Sequence, residues 1–190
     1  VKKRYYSKLG DGRLVTLAYN DFDNSTPKFY GPVSASVANH AGRPEAQMTV
    51  ALTSNETTSA LTAHVDETDS DPITAMDLGT VARLSTTIYD EAGTTAEESR
   101  VYFDIPASGA GSDGTNYDPT KFAYNDQGKR ARTLAPHGTI SRSEFDTMGR
   151  AIGQWVGTND NDWDEGSASG TDNLTKVSEV EFDSGSAGGN

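Results

Sequence analysis

A short pattern that occurs twice between residues 122 and 157 constrains the fold of this chain more than any other feature. One copy begins at Tyr124 and has its glycine at Gly128, and the other begins at Phe145 and has its glycine at Gly149. The aromatic residue, the glycine and the basic residue after it each recur after 21 residues. A turn around Gly138 lies between the copies, with alternating residues on both sides. This register predicts two successive β-hairpins of a repeat protein.

Each residue type in the pattern has a physical role at a hairpin corner. An aromatic side chain at the end of a strand buries a large apolar face against the next unit. Asp or Asn immediately after it accepts backbone N–H bonds and starts the turn, and glycine supplies the positive φ of a tight loop. The basic residue then opens the return strand with its charge in water. The corner residues that we assign, including two degenerate copies, are Tyr89, Asp90, Gly93, Tyr124, Asp126, Gly128, Gly138, Phe145, Asp146, Gly149, Arg150, Phe182 and Asp183.

These motifs resemble the YD repeats of Rhs- and teneurin-type proteins. The resemblance rests on aromatic–acid corners closed by Gly-Lys or Gly-Arg, with the turn Pro136–Thr139 between them, and it is strongest over residues 84–183. It implies long antiparallel β-sheets that form a shell wall or an extended scaffold. It also implies that toxin or adhesion activity lies in other domains, so we expect the repeats themselves to be structural.

Alternating apolar and polar residues extend over most of the chain and predict an all-β protein. Residues 1–30 indicate an N-terminal hairpin, either a degenerate repeat or an unrelated one. Residues 31–83 are a β-rich intervening region, which is either a small β-sandwich-like insertion or a continuation of the same sheet. Residues 84–190 are the YD-repeat region, with Gly- and Asp-rich loops at 105–120 and 158–173. We therefore expect antiparallel YD-repeat hairpins that form an extended or spiralling sheet.

Charge and composition exclude several classes of protein. The net charge of −12 excludes a generic nucleic-acid binder, which needs a basic surface. No apolar run approaches the ~20 residues that a membrane helix needs, so we expect no membrane insertion. The chain has no cysteine and therefore no disulfide or thiolate metal site. It begins Val-Lys-Lys without a secretory signal, so we expect a segment of a longer extracellular or cell-surface protein.

The sequence contains no recognisable catalytic constellation, and we expect that the protein is not an enzyme. Its three histidines have no partner at metal-ligand spacing. The one cofactor hypothesis is calcium, because Asp160, Asp162 and Asp164 place carboxylates at alternate positions. The calcium pattern fails at Glu165, where it needs glycine, so a solvated acidic loop is the alternative. Candidate N-glycosylation sites are Asn24, Asn55 and Asn173.

Three functions are compatible with these observations. The first is a structural segment that builds a β-sheet scaffold, a shell wall or a fibre, by head-to-tail association with itself or within one long chain. The alternative is a carbohydrate- or protein-binding adhesin module that contacts its ligand, such as a glycan, through loops 105–120 and 158–172. The third is a cocoon segment of a secreted toxin, which follows from the family resemblance alone.

Overall fold

The protein is all-β in the ranges that the structure describes. The computed structural model describes residues 3–23, 28–52, 56–57, 64–163 and 171–182. Within these ranges all regular secondary structure is β-strand, and the paired strands run antiparallel. This confirms the fold class predicted from the alternation. None of these residues forms a helix that could cross a bilayer.

The chain divides into two compact units, of which the first is Val1–Pro119. Its strands follow one another in space as they do in sequence, in the order β1-β2-β3-β4-β6-β7, and β5 pairs with β3. The strands are β1 (Lys3–Lys8), β2 (Leu14–Asp23), β3 (Lys28–Ala38), β4 (Pro44–Leu52), β5 (Glu56–Thr57), β6 (Gly79–Tyr89) and β7 (Ala96–Tyr102). Strands β3, β4 and β6 thus extend the sheet that β1 and β2 begin.

One face of this sheet carries the core of the first unit. Leu17 pairs with Ala35, Ala35 with Met48, and Met48 with Leu84, so one buried row crosses four strands. Side chains alternate between the two faces of a strand, so the neighbouring rows repeat this arrangement. Their buried members are Val15, Val37, Ala46, Tyr19, Val33, Val50 and Val81.

An irregular segment, residues 64–78, packs against this apolar face. Val65 and Met76 form an isolated bridge and are buried in the core. The carboxylate of Asp66 accepts hydrogen bonds from the backbone N–H and the hydroxyl of Thr68, at 2.8 and 2.6 Å. The acidic cluster of this segment therefore shapes turns that cover the core. The alternation at 61–65 indicated a strand, but residues 61–63 lie outside the described ranges and Val65 makes only the bridge.

The second unit is Thr120–Asn190, and β8 begins just before it. Its strands are ordered β8-β9-β10-β11-β12. They are β8 (Tyr117–Tyr124), β9 (Arg130–Leu134), β10 (Ile140–Phe145), β11 (Ala151–Gly157) and β12 (Thr175–Glu179). The buried core among its described residues is Ile140, Trp155 and Leu174, with Leu134 and Trp163 packed against it. This core is much smaller than that of the first unit.

Candidate functional site

Six hairpin corners, three in each unit, have one hydrogen-bonding pattern. The N–H of the first residue donates to the carbonyl just before the next strand, at 2.8–3.0 Å; this acceptor is four residues later in five corners and five residues later after Asp90. The N–H of the glycine three residues later donates back to the first residue's carbonyl, also at 2.8–3.0 Å. The six glycines have φ between 71° and 90°, a region that glycine adopts without steric cost. The corners begin at Leu9, Asn39, Asp90, Asn125, Ala135 and Asp146.

Acidic first residues close their corners with the side chain as well. Asp146 Oδ1 accepts the N–H of Met148 and of Arg150, both at 2.9 Å. These bonds, led by that from Arg150, hold the pKa of Asp146 below its ordinary value. Asp90 likewise accepts from Thr94 and Thr95, whose N–H groups lower its pKa. The carboxylate thus replaces water at backbone donors that the tight loop leaves without a strand partner.

The corner after Tyr124 differs from the assignment made from sequence. Its first residue is Asn125, whose side-chain oxygen accepts the N–H of Gln127 at 3.1 Å and of Lys129 at 2.9 Å. We assigned the role of N–H acceptor to Asp126, which is the next residue along the chain. Its side chain is exposed and has no hydrogen bond or ion pair within the described residues. The predicted pattern of an aromatic residue, an Asx directly after it and a glycine therefore holds here, with Asn125 as the Asx.

The aromatic residues that precede the corners are only half-buried. Tyr89, Tyr124 and Phe145 each end a strand and keep part of the ring in contact with water. The Tyr89 hydroxyl donates to the carbonyl oxygen of Pro44 at 2.8 Å. Phe182 is 42% exposed, and the Arg150 guanidinium lies 4.1 Å from its ring centroid. Asp183 lies outside the described residues, so that corner has no further description.

Corners that lie side by side at the same end of the strands contact each other within each unit. In the first unit, Asn39 Nδ2 donates to the Gly93 carbonyl at 2.9 Å, and His40 Nε2 lies 3.1 Å from the Asp11 carbonyl oxygen. In the second unit, Gln127 Nε2 donates to the carbonyl of Asp146 at 3.2 Å. Side chain to backbone bonds thus link five of the six corners to a neighbour, and His40 takes part in one of these links.

The loop that follows β11 is held by an ion-pair cluster in which Asp160 is the centre. Its carboxylate accepts from Arg132 Nε at 2.6 Å and lies 2.7 Å from Arg142 Nη2. The Asp160 side chain is 10% exposed, and the bond from Arg132, with that from Arg142, lowers its pKa. Asn173 also holds this loop, because its oxygen accepts the backbone N–H of Thr158 at 2.8 Å. The cluster joins strands β9 and β10 to the loop.

These contacts bear directly on the predicted calcium and glycan sites. The Asp160 carboxylate is already matched by two guanidiniums, and Asp162 accepts from the hydroxyl and the N–H of Thr171. The described ranges contain no group of three acidic or histidine side chains that could hold a metal ion. Asp164, Asn24 and Asn55 lie outside those ranges. Asn173, the remaining sequon, uses its Nδ2 to donate to Thr158 at 2.8 Å.

The two loops considered for ligand binding, and the two tryptophans, make internal contacts. Tyr102 donates its hydroxyl to the Ala110 carbonyl at 2.8 Å, and Asn116 Nδ2 donates to Asp104 at 3.0 Å, within loop 105–120. Trp155 is 8% exposed, and Trp163 packs on it edge-on. The aromatic pair is therefore part of the second unit's core.

Sequence analysis missed a concave surface on the polar face of the first unit's sheet. Strand pairing places two rows of side chains across it, Arg4–Ala18–Ser34–Thr49–Arg83 and Thr16–Ser36–Gln47–Ser85–Val101. Together they line a groove of about 730 Å³, which we call the polar trough. The alternation of serine with valine in β3 was a signal for a polar face. The cross-strand partners were not visible in the sequence.

No protein-family model matches this chain, and no curated protein does either. The YD-repeat resemblance therefore remains a prediction from the corner motif. The proposed functions therefore rest on the geometry of the corners and of the polar trough.

The corner assignment predicts a clear loss of stability at Asn125 and little change at its neighbour Asp126. Asn125→Ala should lower the free energy of unfolding by about 1 kcal/mol, because two backbone N–H groups lose their acceptor. Asp126→Ala, the matched control, should change it by less than about 0.5 kcal/mol. Urea denaturation followed by circular dichroism measures both. Equal losses, or a larger loss for Asp126→Ala, would contradict the observed corner.

The ion-pair cluster predicts a pH-dependent effect of Asp160→Asn. Because the folded pKa is depressed below 3.8, the carboxylate stabilises the fold above that pH and the gain is lost as pH falls through the folded value. At pH 7 the variant should lose about 2 kcal/mol of unfolding free energy. The difference from wild type should shrink below about pH 4. Denaturation between pH 7 and 2 measures this, with Asp126→Asn expected to follow wild type throughout.

Proposed function

We propose that this chain is a structural β-sheet segment of a secreted or cell-surface repeat protein of the YD type. The observation that carries the proposal is the recurrence of one corner geometry in six hairpins. A folding unit that is repeated with the same closure adds strands one after another and needs no catalytic centre. On this proposal, the extended sheet is itself the functional part of the protein and serves as a scaffold.

The ends of the strand order support association with further sheet. Among the described strands, β1 pairs with β2 alone and β12 with β11 alone. Edge strands present unpaired N–H and C=O groups that another strand can use. Apolar side chains are exposed beside the β12 edge, with Val177 at 59% and Phe182 at 42%. The first 13 residues are basic and the last 40 acidic, so head-to-tail contact would be electrostatically favourable, covalently in one chain or between separate copies.

Sedimentation velocity tests this association. The average sedimentation coefficient should rise with protein concentration, most at low salt, where opposite charges are least screened. Val177→Lys should weaken the association, because a charge on an edge strand opposes strand addition. Met148→Lys, which places the same charge at an exposed corner tip, is the matched control and should associate like wild type. A sharp monomer at every concentration and at low salt would refute the proposal.

A binding module is the second candidate function, and the polar trough is the observation that favours it. The loops first considered for binding are occupied by internal hydrogen bonds, whereas the trough is open to solvent. Concave surfaces with a few polar groups are the usual location of ligand sites. The two candidates are compatible, because the trough lies on a sheet face and association would use strand edges.

A further inference from the structure

The polar trough has a guanidinium at each end of one row of small side chains. Arg4 lies opposite Ala18, which leads through Ser34 and Thr49 to Arg83 in register. Five adjacent strands at about 4.8 Å spacing separate the two arginine positions by roughly 19 Å. Both arginine side chains are exposed. The row thus forms a long floor with a positive charge at either end.

The charge of the trough is opposite to that of the chain. The chain has 28 acidic and 16 basic side chains, and its other arginines are often neutralised by ion pairs. Those with a carboxylate partner are Arg13, Arg100, Arg132, Arg142 and Arg150. Within the described ranges Arg4 and Arg83 have no ion pair, and no Asp or Glu lines the trough. Two uncompensated guanidiniums in an acidic protein point to an anionic ligand.

The floor of the trough favours a saccharide over a peptide. Its side chains are small and polar, and none has a side-chain hydrogen bond within the described residues: Thr16, Ser34, Ser36, Gln47, Thr49 and Ser85. Hydroxyl and amide groups both donate and accept, which suits the hydroxyls of a sugar. A peptide added as a strand needs a free edge, but β2, β3, β4 and β6, which form the middle of the floor, are already paired on both sides.

An exposed aromatic ring stands beside this floor. Tyr6 of β1 pairs with Thr16 of β2 and so lies on the same face of the sheet as the trough. Its side chain is 74% exposed. A tyrosine presents a flat apolar face and a polar tip, which suits stacking against a sugar ring. The site thus combines two guanidinium groups, a floor of hydroxyl and amide side chains, and an exposed aromatic ring.

We propose that the polar trough binds an acidic polysaccharide that lies across the strands. Arg4 and Arg83 bind carboxylate groups of two separated sugar residues, and the serine and threonine hydroxyls bind sugar hydroxyls between them. The proposal deepens the binding-module candidate and rests on it. It differs from the strand-edge association, which uses the backbone groups of β1, whereas the trough uses side chains on the sheet face, Arg4 of β1 among them.

The test uses the whole chain and polygalacturonate, a polymer of carboxylated sugars, in titration calorimetry. Arg4→Gln and Arg83→Gln should each weaken binding about tenfold, the effect of losing one charge-assisted hydrogen-bonded contact. Arg43→Gln is the matched control, since Arg43 is exposed on the first unit but lies outside the trough. It should bind as wild type does. Circular dichroism checks that each variant keeps the β-sheet spectrum.

Four results would overturn the proposal. The first is no binding of polygalacturonate, and the second is an equal loss of affinity in Arg43→Gln. The third is binding of poly-glutamate that is weakened by the same arginine substitutions. The fourth is binding of fully methyl-esterified polygalacturonate that Arg4→Gln and Arg83→Gln do not weaken. The second would indicate general charge attraction, and the third a peptide partner. The fourth would indicate that the trough binds a neutral glycan and not an acidic one. Sedimentation of Arg83→Gln reports separately on the scaffold function, because Arg83 lies outside the basic first 13 residues and away from both edge strands.

Discussion

The hydrogen bond from the corner glycine back to the first corner residue is the interaction on which strand pairing in both units depends. It closes a short loop with the glycine at positive φ, and so fixes the register of the two strands that it joins; the loop has the same length in five corners and is one residue longer after Asp90. Register shifts fall beside several corners, at Val37/Ala38, Ile88/Tyr89, Ala123/Tyr124 and Glu144/Phe145. Such bulges are expected where a short loop ends in a left-handed glycine. A slip of one residue would exchange the two faces of the strand.

Fixed register gives the first unit two different faces. The rows through Leu17 and Val50 make one continuous apolar face, which residues 64–78 cover. The intervening rows place arginine, serine and threonine together on the other face, where they form the polar trough. Burial of the first face stabilises the unit, and this leaves the second face available for a ligand. The second unit has a far smaller core and uses the ion pairs of Asp160 to hold its loop.

Local patterns in the sequence were sufficient to predict the strands and most of the corners, because alternation and glycine position are local properties. They did not separate Asn125 from Asp126, since either side chain can accept the N–H bonds and only the observed bonds distinguish them. The cover at 64–78 was not predicted, because it is irregular and shaped by short-range carboxylate turns. The trough depends on pairing between strands distant in sequence, which brings Arg4 and Arg83 into one row. No local pattern contains that information.

Amide hydrogen exchange followed residue by residue by NMR tests the corner geometry most directly. The glycine amides at Gly42, Gly93, Gly128 and Gly149 are hydrogen-bonded to the first residue of their corners. They should exchange much more slowly than the next amides after those first residues, at His40, Glu91, Asp126 and Thr147, which have no such bond within the described residues. Glycine amides that exchange as fast as these tip amides would contradict the shared corner and, with it, the fixed register of both sheets.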